Sequence, residues 1–123
     1  MPFAKPVRQE LARICGKEWV KDDAITLYAY RSDGLTLYTA PPLGVVYPGS
    51  TGELVQVVKL FHREQISFLP RGAGTGLSGG AVPCEGSVII EMARFKEIHE
   101  VDFVNRTITV GQSVPSPPES CRC

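Results

Sequence analysis

Ile66-Ser67-Phe68-Leu69, followed by Pro70-Arg71-Gly72-Ala73-Gly74-Thr75-Gly76-Leu77-Ser78-Gly79-Gly80-Ala81, decides how the chain folds. The first four residues are a short apolar run that reads as a buried strand. The loop behind it holds five of the chain's twelve glycines. Glycine lacks a Cβ, so it accepts positive φ and lets another group approach the backbone closely. Successive N–H groups in such a turn form a concave nest for an anion. Thr75 and Ser78 add hydroxyl donors, and Arg71 adds a fixed positive charge. Together these groups suit phosphate or pyrophosphate. A glycine-rich turn with no ligand stands as the plain alternative.

Two better-known glycine patterns do not fit. Gly74-Thr75-Gly76-Leu77-Ser78-Gly79 matches G-x-G-x-x-G in letters. The dinucleotide fingerprint, however, needs a helix to open at those glycines. Here Gly80, Pro83 and Gly86 follow, and then the strand-like run Ser87-Val88-Ile89-Ile90. No Gly-Lys-Ser or Gly-Lys-Thr closes the loop, so it is not a P-loop either.

Upstream, Val45-Val46-Tyr47-Pro48 reads as a strand, being β-branched and aromatic. Ser50 stands three residues before Glu53, the spacing of a capping box. Leu54, Val57, Val58 and Phe61 then share one helical face. The helix fades between His62 and Gln65. Strand, helix and strand at this spacing make a βαβ unit with parallel strands. The glycine loop therefore leaves the carboxyl end of a parallel strand, the edge where open α/β sheets bind ligands.

Earlier still, residues 6–15 read as an amphipathic helix, with Pro6 at its first turn and Gly16 just past its end. Val7, Leu11 and Ile14 share a face. Gly16 to Pro42 is less regular. Asp22-Asp23 suits a short cap, and Ser32-Asp33-Gly34 a turn. Tyr28, Tyr30 and Tyr38 are expected as half-buried covers. Beyond the loop, Val88 to Glu91 is a third strand and Ala93 to Glu97 one helical turn. Ile98–Asp102 and Thr107–Val110 alternate around Asn105 as an antiparallel hairpin. Neither His62 nor His99 has a partner pattern that marks a catalytic base.

At 123 residues the chain has room for one small domain. It is 43% hydrophobic and 21% charged, a globular composition. Thirteen basic residues balance thirteen acidic ones, which argues against general nucleic-acid binding. No stretch reaches the length of a membrane span, and the N-terminus lacks a signal-peptide core. The expected compartment is the cytoplasm. Cys15, Cys84, Cys121 and Cys123 lack a disulfide spacing and read as free thiols. Cys121-Arg122-Cys123 is not a metal site without further ligands. From Gln112 the chain is rich in Pro and Ser and reads as extended or disordered.

With the loop set between two strands, the chain resembles FAD-linked oxidases of the p-cresol methylhydroxylase/vanillyl-alcohol oxidase type. More narrowly, it resembles the start of the flavin subunit of glycolate oxidase and the related D-lactate dehydrogenases. The residues that carry this are the loop from Pro70 to Gly80, with support from four other stretches. These are Gly16-Lys17-Glu18-Trp19-Val20, Asp33-Gly34-Leu35, Val45-Val46-Tyr47-Pro48 with Ser50-Thr51, and Asp102 with Asn105-Arg106-Thr107. The resemblance implies an α/β (α+β) fold, the N-terminal subdomain of a p-cresol methylhydroxylase-type FAD-binding domain. Residues 1–44 would be a helix and arm, 45–111 the partial FAD-binding domain, and 112–123 a tail foreign to the family.

The resemblance also implies that Arg71, Gly72, Ala73, Gly74, Thr75, Gly76, Leu77 and Ser78 wrap the FAD pyrophosphate, with Val46 to Pro48 near the adenine. Family members that attach FAD covalently through this loop carry a His where this chain has Thr75, so non-covalent FAD is expected. The implied reaction is hydride transfer from the α-carbon of a 2-hydroxy acid to the flavin. The family's second flavin subdomain and its substrate domain have no counterpart here, so no residue is read as catalytic. The expectation is a truncated chain that is inactive alone and needs more chain or other subunits of a glycolate-oxidase-like complex. A non-catalytic remnant and a nucleotide-binding module for another phosphate ligand are the alternatives.

Overall fold

Val88, Ile89 and Ile90 are exposed by no more than 1% and form the centre of the sheet. The computed structural model describes residues 3–114. Its main sheet contains β1 (Val20–Lys21), β2 (Gly44–Val46), β3 (Phe68–Arg71) and β4 (Val88–Glu91), in the order β1-β2-β4-β3. β4 runs parallel to β2 on one side, with Val45 opposite Ile89. On the other side it runs parallel to β3, with Leu69 opposite Ile89. β1 closes the far edge antiparallel to β2.

The expected strand–helix–strand unit is present, and its strands are parallel, but β4 lies between them. The most continuously apolar strand takes the middle place, where both faces are covered. β3 goes to the edge. Its Pro70 has no N–H to give a ladder, and an edge tolerates that. The expectation of a buried strand at Ile66–Leu69 is therefore corrected. The strand begins at Phe68, and Phe68 is 39% exposed.

Helices α1 (Lys5–Cys15) and α3 (Thr51–Arg63) supply the core. Val7, Leu11 and Cys15 of α1 and Val57, Leu60 and Phe61 of α3 pack with Val46, Val88 and Ile90. Pro6 opens α1, and Gly16 follows it at φ +96°. Ser50 caps α3, its Oγ accepting from the Glu53 N–H at 3.2 Å. The Glu53 carboxylate reaches back to the N–H of Gly49 at 2.6 Å, one residue before the cap. One first-turn donor, the Glu53 N–H, and the N–H of the residue entering the cap are thereby satisfied.

The stretch from Gly16 to Pro42 is more ordered than its sequence suggests. It holds β1 and a six-residue helix, α2 (Ala24–Ala29), capped by Asp23 through the Thr26 N–H at 2.9 Å. Both elements are too short for periodicity to reveal. Tyr28 and Tyr38 are exposed rather than half-buried, at 64% and 70%. Tyr30 is half-buried as expected.

After β4 the expected helical turn at Ala93–Glu97 is instead a tight turn, closed by the Phe95 N–H on the Met92 carbonyl at 3.0 Å. The hairpin follows as β5 (Ile98–Asp102) and β6 (Thr107–Val110), antiparallel as expected. The Asp102 carboxylate ties its turn by accepting from the Val104 and Asn105 N–H groups, each at 2.9 Å. Ser113 is bonded to the same turn, its N–H donating to the Phe95 carbonyl at 2.8 Å. Cys15 is a buried free thiol, and burial pushes it up to about 11. Cys84 is exposed and free; the tail expected to be extended or disordered from Gln112 instead begins in a turn, closed by the Val114 N–H on the Gly111 carbonyl at 3.2 Å, while its residues 115–123, Cys121 and Cys123 among them, lie outside the described residues. No helix among the described residues is long and apolar enough to cross a membrane.

Phe61 is fully buried at the meeting of α3 and the sheet, while Phe103 at the hairpin tip is 82% exposed. Phe61→Ala is expected to cost about 3–5 kcal/mol of stability. Phe103→Ala is expected to change it by no more than about 0.5 kcal/mol. Urea unfolding of the two variants beside the parent chain checks the contrast.

Candidate functional site

The glycine loop starts where β3 ends, beside the carboxyl end of the parallel strand β4. Gly74 and Gly79 adopt φ of +70° and +81°, in the left-handed region that glycine allows without cost. Between them the backbone is neither helix nor strand. Among the described residues, no acceptor is bonded to the N–H groups of Ala73, Gly74, Thr75, Gly76, Leu77 or Ser78. Around Gly76, Gly79 and Gly80 the space that a Cβ would occupy is open. The loop thus offers a run of bare donors on an accessible surface. Thr75, Leu77 and Ser78 are exposed with it.

Arg71 does not point its charge outward from this surface. Its Nη1 donates to the carbonyls of Ser32 at 2.8 Å and Ala81 at 2.9 Å, with Tyr30 at 3.4 Å. The guanidinium lies 5.0 Å from the centre of the Tyr30 ring. It joins the two ends of the loop to each other and to the arm. A Cβ at Gly74 would run into the same guanidinium, so that glycine is required on two counts.

The arm makes further contacts that its sequence does not announce. Asp33 is 7% exposed. Its Oδ2 accepts from the Gly79 N–H and its Oδ1 from the Leu35 N–H, each at 2.9 Å. These hydrogen bonds, Leu35 first, hold its carboxyl below the ordinary 3.8. Next to it, the Gly34 N–H donates to the Gly76 carbonyl at 3.1 Å. The sequence reads Ser32-Asp33-Gly34 as a turn and Asp33-Gly34-Leu35 as part of the family resemblance, and neither reading places Asp33 against the glycine loop.

Glu91, at the end of β4, is 4% exposed. Burial raises its pKa above the ordinary 4.5, against the opposing pull of the Tyr30 hydroxyl and the Arg71 charge. The Tyr47 hydroxyl donates to that of Tyr30 at 3.0 Å. Glu91, Gly72, Ala73, Ala93, Lys96 and Ser113 border a cavity of about 340 Å³ next to the first turn of the loop. Among the described residues no group of three metal-ligating side chains comes together. His62 lies in the last turn of α3, and His99 lies exposed on β5.

A raised pKa means that the fold disfavours charged Glu91. Stability is then lost as pH rises from 4.5 through the folded value. Glu91→Gln keeps the size and an acceptor oxygen but removes that penalty. The variant is expected to unfold at higher urea than the parent near neutrality, with the gap closing below pH 4.5.

A protein-family model described as "FAD binding domain" matches residues 42–117. The chain is 44% identical over 85 residues to the glycolate oxidase subunit GlcD of Escherichia coli (strain K12), covering 69% of this chain and 17% of that subunit. It is 37% identical over 90 residues to the D-lactate dehydrogenase of Archaeoglobus fulgidus, covering 70% of this chain and 20% of that protein. The chain thus spans about a fifth of the length of these curated relatives. Among solved structures, p-cresol methylhydroxylase with substrate bound superposes with a TM-score of 0.68 at 22% identity, covering 79% of this chain and 20% of that one. That likeness is one of fold.

Proposed function

The chain belongs to the FAD binding domain family, and from that premise we propose that it holds the FAD pyrophosphate for a flavin-dependent oxidoreductase of 2-hydroxy acids such as glycolate or D-lactate. The observation that carries this is the run of unbonded N–H groups from Ala73 to Ser78, bent by two left-handed glycines at the carboxyl ends of the parallel strands β3 and β4. A pyrophosphate is an array of anionic acceptors, and convergent backbone donors fit it without demanding a side chain. The open space at Gly76, Gly79 and Gly80 lets such a group reach the backbone.

Bound FAD supplies the hydride acceptor, and the protein's part is binding and orientation. In this reading Gly72 to Ser78 make the contacts, with Thr75 and Ser78 hydroxyls beside them. Arg71 serves from behind, fixing the loop ends and lending its charge across the backbone. Val46 to Pro48, at the carboxyl end of β2, lie toward the adenine. Thr75 offers a hydroxyl and no imidazole, so the cofactor is held non-covalently. Substrate oxidation draws on the rest of a flavoprotein about four times this length, or on other subunits of a glycolate-oxidase-like complex. We assign no catalytic residue within the chain.

The 123-residue chain titrated with FAD is expected to quench flavin fluorescence, and ADP to compete. Riboflavin, which lacks the pyrophosphate, is expected not to bind. Equal binding of riboflavin and FAD, or a folded chain indifferent to FAD, overturns the reading. Gly74→Val places a β-branched residue at φ +70° and drives it into Arg71. It is expected to weaken FAD binding by about tenfold or more.

A further inference from the structure

We propose that Asp33 is a positioning residue for the glycine loop, setting through its hydrogen bond to Gly79 the shape in which the N–H groups from Ala73 to Ser78 stay unbonded and open to a ligand. The proposal rests on the reading of that loop as a pyrophosphate cradle. Asp33 reaches the loop's own backbone and acts through it.

The loop has little structure of its own. Among the described residues, one backbone bond links the loop locally, from the Val82 N–H to the Gly79 carbonyl at 3.1 Å. The Arg71 guanidinium adds a bond to the Ala81 carbonyl, and the rest cross to the arm: Asp33 accepts from the Gly79 N–H, the Gly34 N–H donates to the Gly76 carbonyl, and the carbonyls of Ser32 and Tyr30 accept from Arg71. A glycine-rich segment loses more conformational freedom on ordering than any other. If the ligand had to order it, binding would bear that cost, and a loop already fixed avoids it.

A carboxylate is the side chain this task calls for. It carries two acceptor oxygens and no donor. One oxygen holds Leu35 within the arm, and the other holds Gly79 across the gap. Asn in its place has one acceptor oxygen, and its amide would face one of two N–H donors. The neighbour Gly34 completes the fit, because a Cβ there would stand 2.8 Å from the Thr75 carbonyl oxygen. Only a bare backbone lets the arm lie this close.

Charge alone predicts the opposite effect. Asp33 brings a negative charge to the edge of a site for an anion, so its removal should strengthen pyrophosphate binding. The positioning role predicts that removal weakens it. The experiment measures FAD affinity by fluorescence quenching for the parent chain, Asp33→Asn, Asp33→Ala and Gly34→Ala. Amide hydrogen exchange without FAD is read at Gly79 and at Ile89 and Ile90.

All three variants are expected to lose FAD affinity by about tenfold or more, the scale of one well-placed hydrogen bond to a charged group. The Gly79 amide is expected to be protected in the parent chain and unprotected in both Asp33 variants, with Ile89 and Ile90 unchanged. Unchanged or tighter FAD binding by Asp33→Asn overturns the proposal, as does a Gly79 amide that exchanges freely in the parent chain. If the parent chain ignores FAD while Gly79 protection still depends on Asp33, the cofactor reading fails and the hold of Asp33 on the loop stands. Where an Asp33 variant also loses protection at Ile89 and Ile90, Gly34→Ala decides, because it leaves the carboxylate in place.

Discussion

Three β-branched residues, Val88, Ile89 and Ile90, need cover on both faces and partners on both edges, and the rest of the structure meets that need. α1 and α3 pack on the face that carries Val88 and Ile90. β2 and β3 flank the strand in the same direction, so three carboxyl ends lie side by side. Parallel strands cannot be joined by tight hairpins, so each one leads into a long connection. After β2 the connection is α3. After β3 it is the glycine loop. The site is thus a by-product of how the central strand is enclosed: the loop has to cross the carboxyl edge to bring the chain back to β4.

The electrostatics under the loop are arranged in layers. Outside are uncharged N–H donors. Beneath them, the Arg71 guanidinium sits among carbonyls, with Glu91 close enough for its charge to offset part of the rise in pKa that burial causes there. Asp33 holds the far corner. Positive and negative charges lie on the protein side of the backbone, so what the surface presents is mainly the peptide dipole. Such a surface favours an anion through geometry and leaves little to non-specific attraction, which agrees with a chain of zero formal charge.

Local signals carried much of this in the sequence. The cap at Ser50, the face of α3, the bounds of β4 and the hairpin around Asn105 each depend on residues a few positions apart, and each stands where the pattern put it. The glycine loop was visible for the same reason. The order of strands was not, because adjacency in a sheet is decided by relative burial and not by sequence neighbours. Hence β3 was expected inside and lies at the edge. The arm was harder still. Its bonds to the loop join residues separated by 39 and 46 positions. The groups it contributes are mostly backbone carbonyls and N–H groups, which every residue has. Arg71 illustrates the limit: its type suggested a phosphate ligand, and its geometry shows a guanidinium occupied by carbonyls.

The arm and the loop also differ from the sheet in how they are held. The sheet side is fixed by buried aliphatic and aromatic packing, and the loop side by a handful of hydrogen bonds around Asp33 and Arg71. Segments secured in the second way open at a lower free energy than the domain unfolds. The loop can therefore part from the arm while β2, β3 and β4 stay paired. On the proposed reading of the loop as a cradle for the FAD pyrophosphate, this separates two time scales. Entry and exit follow the opening of the loop, and the lifetime of the fold follows the core.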